Sequence, residues 1–340
     1  MRLLNPAESR HDPSVLQLLA LAAGPESSPA AAQRLAGLLD GRPGVQLLAD
    51  FDASGKLAAL ALWRGQDRYA VVLEALAVLP AARGRGVGTQ LVHQVREHSE
   101  RSVVALATTE TAGFWHAAGF LVSGASSNPC LPGRQQICAT LPHAALLAQP
   151  GPEADFEYVD GCDTPGLVQI TEPQESWPAD FARLDAALRQ ALGGTALAVE
   201  HAGSTSVPGL PAKPVIDIVL LVADPDDEAA YAPALRQAGF DFWLREPGWY
   251  RHRLFKPQAA TGLPQSNIHV FAPGSPEYLR MMLYRDHLRT HAADRQSYAQ
   301  VKRAAAAQLA AARGTAGLVM EYNKIKEPFI LSLHRRIFGQ

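Results

Sequence analysis

Apolar residues recur at helical spacing in two early stretches, 13–23 (PSVLQLLALAA) and 29–39 (PAAAQRLAGLL), each opening on a proline that a first helical turn tolerates. Three short apolar or alternating runs follow, VQLLADF, KLAALALW and YAVVLEALAV. They predict strands, the first two joined through the turn-forming DASG. The glycine-rich RGRGVG then leads into TQLVHQVREHS, where Leu91, Val92 and Val95 mark one helical face. SVVALAT reads as another strand and TAGFWHAAGF as a short helix closed by Gly119, with further strands expected near 120 and 135. The first unit is expected to end around Leu141.

Residues 142–165 are rich in proline, glycine and acids and hold no sustained periodicity, which reads as a linker. Beyond it, Phe181, Leu184, Leu188 and Leu192 keep helical spacing up to Gly193-Gly194, and ALAVEH predicts a strand. EAAYAPALRQAGF predicts a helix, DFWLREPGWYRHRLFK a hairpin and NIHVF a short buried strand. SPEYLRMMLYRDHLRTH predicts a helix with Ser275 as N-cap and Pro276 at its first position. The tail from Asp294 to Phe338 is expected to be helical, with a break at Gly314 and Gly317. This order predicts an α/β (α+β) protein of two domains, residues 1–141 and 166–340.

Length agrees, because 340 residues exceed what one core usually accommodates. Lys plus Arg number 31 and Asp plus Glu 33, a formal net charge of −2 that offers no basic field for nucleic acid. Cys130, Cys138 and Cys162 form no CxxC pair, so neither a zinc ribbon nor a disulfide framework is expected. The N-terminal stretch has no apolar core of a leader, and no apolar run approaches the ~18 residues of a membrane helix. The expectation is a cytoplasmic protein with no membrane partner.

Arg83-Gly84-Arg85-Gly86-Val87-Gly88 lies between a strand and a helix start, where backbone amides converge on an anion and missing β-carbons let it approach. Thr89 stands where a dinucleotide fingerprint needs its third glycine, and no Lys-Ser/Thr pair of a P-loop follows. Arg83, Gly86 and Gly88 instead resemble the Q/R-x-x-G-x-G/A loop of GCN5-related N-acetyltransferases (GNAT). The resemblance covers about residues 1–141 and implies a mixed sheet flanked by helices that binds acetyl-CoA. It further implies amides for the pantetheine arm around Leu76, Ala77 and Val78, and loop contacts from Arg83 to Thr89. The family's later aromatic motif is matched by Phe114-Trp115-His116, with Trp115 where many relatives carry a proton-donating tyrosine. His116 is the candidate substitute acid. Glu74, inside an apolar strand, is the candidate general base for an attacking amine.

In the second half, Gly203 and Ser204 followed by Asp217 fit the start of a nucleotidyltransferase pattern, a Gly-Ser turn for phosphates and strand carboxylates for magnesium. Two-metal chemistry wants paired carboxylates two positions apart, and position 219 is valine. EHAGSTSVPGLPAKPVIDI, NIHVF, YRDHLRTH and YAQVK together resemble the GrpB family, related to nucleotidyltransferases, over about residues 166–340. That resemblance implies an anion-binding turn of Gly203, Ser204, Thr205 and Ser206 with Lys213, Asp217, His269 and Arg285 around it. Arg289 and Lys302 are further phosphate-contact candidates. Magnesium is poorly supported, since a neutral histidine at 269 is a poor ligand for it. His287 and His291 lack the glutamate of H-E-x-x-H and read as a surface pair.

The leading expectation is an acetyl-CoA-dependent N-acetyltransferase for an amine or peptide substrate, fused to a domain for a nucleotide or phosphorylated ligand. The alternatives for the second half are an active nucleotidyltransferase and a noncatalytic ligand sensor.

Overall fold

The computed structural model describes residues 1–23, 29–40, 42–127, 135–149, 151–152, 155–160, 168–313 and 319–338. Cys130, Cys162, Gly314 and Gly317 lie outside them. The chain divides into two compact units: Met1–Val122 with residues up to His143, and Ser123–Ser127 with Ala144–Gln340.

The first unit runs β1 (Arg2–Leu4), α1 (Pro6–Ser9), α2 (Pro13–Ala23), α3 (Pro29–Gly37), β2 (Val45–Phe51), β3 (Leu57–Gly65) and β4 (Ala70–Val78). It continues with α4 (Val87–Ser99), β5 (Ser102–Thr108), α5 (Ala112–Ala117), β6 (Leu121–Ser127, of which Ser123–Ser127 group with the second unit) and β7 (Gln135–Leu141). Their sheet order is β1-β2-β3-β4-β5-β7-β6. Alternate residues of β3 serve two cores, as period-two side chains must. Leu60 and Leu62 pack with Val15, Leu18 and Leu39 of the α2–α3 region, while Ala59, Ala61 and Trp63 pack with Leu91, Val92 and Val95 of α4.

Two irregularities in β4 shape this unit. The register with β3 passes from Leu62↔Ala75 to Trp63↔Leu73, so Glu74 is the extra residue of a β-bulge. The bulge changes parity: Val71 and Leu73 face the α4 core, whereas Ala75 and Ala77 face the α2–α3 core. On its other edge, β4 pairs in parallel with β5 only from Ala70↔Ser102 to Val72↔Val104, while β5 stays paired with β7 out to Thr108↔Gln136. The two strands therefore splay, and the backbone of β4 beyond Val72 borders a gap.

The second unit opens with α6 (Ala144–Ala148) and β8 (Glu157–Tyr158), so the stretch read as linker contributes a helix and an edge strand. Their anchors come from far along the chain. The Arg280 guanidinium donates to the carbonyls of Leu147 and Gln149, and the Asp160 carboxylate accepts from Arg236 and from the Phe242 amide. No local periodicity records such ties.

The unit continues with α7 (Trp177–Leu192), β9 (Ala198–Ala202), β10 (Ile216–Leu221), α8 (Ala232–Gln237), β11 (Phe240–Glu246), β12 (His252–Pro257) and β13 (Ser266–Phe271). The helices α9 (Pro276–Thr290), α10 (Ala292–Arg313) and α11 (Val319–Phe338) complete it. The sheet order is β8-β11-β12-β13-β10-β9, with β10 and β13 parallel and the other pairs antiparallel. Leu184 and Leu188 of α7 are fully buried against Ile218, Leu220, Ile268 and Val270, each such side chain contributing roughly 1.5–3 kcal/mol. Val207 and Leu210, just after the β9 turn, pack instead with Leu288, Tyr298 and Leu333 of the three closing helices. That turn is thereby held between sheet and helices.

Candidate functional site

In the first unit, a cleft of about 660 Å³ beside the C-terminal end of β4 is lined by Leu76, Ala77, Val78, Arg83, Gly84, Gly86, Val87, Gly88, Thr89, Phe114 and Trp115. Sequence-expected loop and strand residues thus meet in one place, with Arg85 exposed outside the lining. Gly86 is the α4 N-cap at φ 76°, and Gly84 is also left-handed at φ 73°, conformations that side chains resist. The first α4 amides have no partner within the helix and face this end of the cleft. Arg83 Nε donates to the Val78 carbonyl at 3.0 Å, tying the loop to β4. At Gly88 a β-carbon would stand 3.2 Å from the Phe114 ring, so a glycine lets α5 close over the loop.

Trp115 lines the cleft, but its indole N–H donates to Thr111 Oγ1 at 3.0 Å, and its ring packs edge-on against Phe114 and Phe120. The residue is therefore an anchored wall. His116 is exposed and absent from the lining, because on α5 it lies one residue beyond the side that Trp115 buries. Glu74 also lies outside the lining. Its side chain is only 8% exposed, with Oε2 accepting from Arg34 at 3.0 Å and Oε1 from Arg64 at 2.6 Å. Both oxygens are engaged, which the apolar sequence around Glu74 did not foretell.

In the second unit, a cavity of about 280 Å³ gathers Ser204, Thr205, Lys213, Asp217, Asn267 and His269 with Lys302, Tyr322 and Lys326. Gly203 sits at φ 63°, and a β-carbon there would collide with the Asp217 carboxylate. Its missing side chain lets the turn close over β10. Ser206 turns inward, donating to the Gly203 carbonyl at 2.6 Å. Arg285 does not reach the cavity: it donates to Glu200 at 2.9 Å and to the His201 carbonyl at 3.0 Å. Arg289 likewise donates to the Ser206 carbonyl. Both arginines hold the turn from behind, their charge spent on local acceptors.

Lysines are the basic groups of the lining instead. Among the described residues, no carboxylate lies at ion-pair distance from Lys213, Lys302 or Lys326. Lys302 is 2% exposed, and burial with the neighbouring Lys326 pushes its ammonium well below the usual range. Burial and Lys213 bring Lys326 down to about 8. Asp217 is the single acid in the lining. Burial opposes its charge, yet His269, Asn267 and Lys213 outweigh that and hold it below the ordinary carboxylate range. One carboxylate among three lysines, with its Oδ1 already accepting from Asn267 at 2.9 Å, does not fit a magnesium cage. Among the described residues, no group of three or more His, Cys, Asp or Glu is arranged to hold a metal. Lys326, Tyr322 and Asn323 carry no sequence signal; they arrive because α11 folds back onto the β9 turn.

The two folds define a chain that joins one helix-flanked mixed sheet to a second, the latter closed by three C-terminal helices. Residues 167–336, half of the chain, match the family model described as GrpB protein, and the chain belongs to that family. Residues 44–121 match the Acetyltransferase (GNAT) domain, so the molecule is a fusion of the two. It is 46% identical to UPF0157 protein BH1888 of Halalkalibacterium halodurans over 136 residues, 40% of this chain and 68% of that one. Likeness to UPF0157 protein YqkA of Bacillus subtilis is 24% over 265 residues, 76% of this chain and 69% of the relative, and therefore extends over both units. A crystal structure of GrpB from Enterococcus faecalis aligns at 27% identity and a TM-score of 0.42, covering 50% of this chain and 97% of that one. No described helix is long and apolar enough to cross a membrane.

Proposed function

We propose that the first unit is an acetyl-CoA-dependent N-acetyltransferase for an amine, and that the second binds a phosphorylated or nucleotide-like ligand. The observation that carries the first reading is the splay of β4 from β5 above the glycine-lined start of α4. Bound there, acetyl-CoA supplies the activated acetyl group. Amides from Gly84 to Thr89 would hold its pyrophosphate, helped by the helix dipole and by Arg83. The unpaired edge of β4 from Leu76 to Val78 would hold the pantetheine arm and present an amide to the thioester oxygen.

Glu74 sits on the bulge two residues before that edge, where bulges commonly re-aim a side chain toward a site. An amine reaching it must displace Arg34, the more exposed of its two partners, and then gives up its proton to the freed oxygen. His116 is replaced as acid: it is exposed and outside the cleft lining, and the Trp115 N–H is already donated. The leaving thiolate then takes its proton from solvent. For the second unit, three lysines around one cavity, with no carboxylate at ion-pair distance among the described residues, support an anionic ligand over two-metal nucleotidyl transfer, for which the donor set is wrong.

The test is calorimetric titration of acetyl-CoA into the full chain and into Gly86→Glu, followed by an acetylation screen over amines, peptides and aminoglycosides. A glutamate at a left-handed, anion-facing position should weaken binding at least ~10-fold. Equal affinities would sink the loop assignment.

A further inference from the structure

Glu246 at the end of β11, His252 on β12, His269 on β13 and Asp217 on β10 stand on four neighbouring strands and form a line into the second unit's cavity. Glu246 Oε2 is 2.6 Å from His252 Nδ1, and His252 Nε2 is 3.0 Å from His269 Nδ1. His269 Nε2 is left facing Asp217 Oδ1, 3.9 Å away in the cavity wall. The far end is dry: Glu246 is 6% and His252 2% exposed, with Trp249 and Phe271 against the His252 ring.

Along such a line each contact needs one donor and one acceptor. With Glu246 ionised, His252 donates from Nδ1 and accepts at Nε2, so His269 donates from Nδ1 and its Nε2 is bare. One added proton has three placements. It sits on Glu246, with both imidazoles changed to the other tautomer; on His252, as an imidazolium between an ionised Glu246 and His269 Nδ1; or on His269 Nε2 itself, with Glu246 still ionised. All three put an N–H on His269 Nε2, facing the cavity.

The geometry points to a proton-linked anion site: a phosphate or diphosphate group held by Lys302 and Lys326 accepts from His269 Nε2, and its binding draws one proton into the Glu246–His252–His269 array. This rests on the anion-binding reading of the cavity and adds the ligand class and the linkage. About 280 Å³ suits the phosphate end of a metabolite better than a whole nucleotide. Buried ammonium groups without a counter-ion are costly, and a dianion or trianion supplies the missing partner. Glu246 and His252 are positioning residues, acting on the ligand only through His269.

The groups around the array set its poise. Burial lifts Glu246 to about 7; His269 opposes the rise, while Asp155 and Glu277 add to it. Burial, then His269 and Arg253, keep His252 far below the usual imidazole range, so it passes the proton without holding it. At the cavity end His269 faces Asp217 on one side and the lysines, Lys213 included, on the other. A bound anion beside Nε2 favours the protonated array, so binding tightens as pH falls through neutrality.

Inorganic pyrophosphate titrated calorimetrically into the full chain at pH 6.5 and 8.5 tests both layers. Lys326→Met should weaken binding ~10-fold or more through loss of a charge-assisted contact. In Glu246→Gln the amide donates to His252 Nδ1 as a protonated carboxyl would, giving His269 Nε2–H without a titrating proton. The ratio of Kd at pH 8.5 to that at pH 6.5 should then fall ~10-fold or more relative to wild type, one linked proton being worth up to about 10-fold per pH unit. Ionisation of pyrophosphate and of the lysines is common to both proteins and cancels. His269→Gln, which carries no titrating nitrogen at the cavity end, gives the same reading if Glu246→Gln does not fold. No binding at millimolar pyrophosphate, or binding indifferent to Lys326→Met, overturns the anion site. Binding with an unchanged pH ratio in these glutamine variants overturns the array alone.

Discussion

His201 shows how a single residue's surroundings become a measurable property. Its ring stacks on Phe181 at 4.7 Å and its Nε2 meets Thr205 Oγ1 at 3.0 Å, directly behind the cavity turn. Burial, with Arg289 adding repulsion, lowers it to about 4 against 6.5 for a free imidazole. Between these values the unfolded chain binds the proton and the folded one does not, so this contribution to stability is present above pH 6.5 and lost as pH falls toward 4. Removing the titration in His201→Gln should make the fall in unfolding free energy from pH 7 to pH 5 shallower by about 2 kcal/mol, read from urea melts at both values. The sequence marked the turn beside this residue but not its burial, because what covers a strand-end histidine comes from α7, distant along the chain. Glu74 is parallel: its strand was legible, while its two arginines are 40 and 10 residues away.

At the scale of elements, patterning did most of the predicting. Leu91, Val92 and Val95 of α4 are all fully buried, as their spacing required. Leu91→Ala should cost the first unit about 2–5 kcal/mol by leaving a cavity, with a lowered denaturant midpoint and an unchanged slope. The hairpin of β11 and β12 pairs Phe240 with Pro257 and Glu246 with His252, in keeping with its alternating sequence. The β4 bulge and the β4–β5 splay were not legible, since a bulge is a mismatch between two strands and neither strand carries it alone. The same holds for α6 and β8, whose Pro- and Gly-rich surroundings read as linker although long-range ties order them.

At the scale of the molecule, each unit has its own core and its own candidate site, so ligands should act on them separately. A ligand at 100 times its Kd stabilises the state that binds it by about 2.7 kcal/mol. Acetyl-CoA should therefore slow proteolysis and hydrogen exchange in residues 1–122 selectively, and pyrophosphate in residues 168–313; protection spread evenly by either would contradict the assignment. The sequence alone determined the order of the longer elements, the two families joined in the chain and the glycine loop, because these rest on periodicity and on contiguous residues whose backbone needs are local. Tertiary structure alone decided that Arg285 braces the turn while Lys302 and Lys326 line the cavity, and that Glu246, His252 and His269 touch in line. Those facts depend on strand register and on where α11 packs, and such pairings are chosen by the burial of whole surfaces, which no short stretch of chain records.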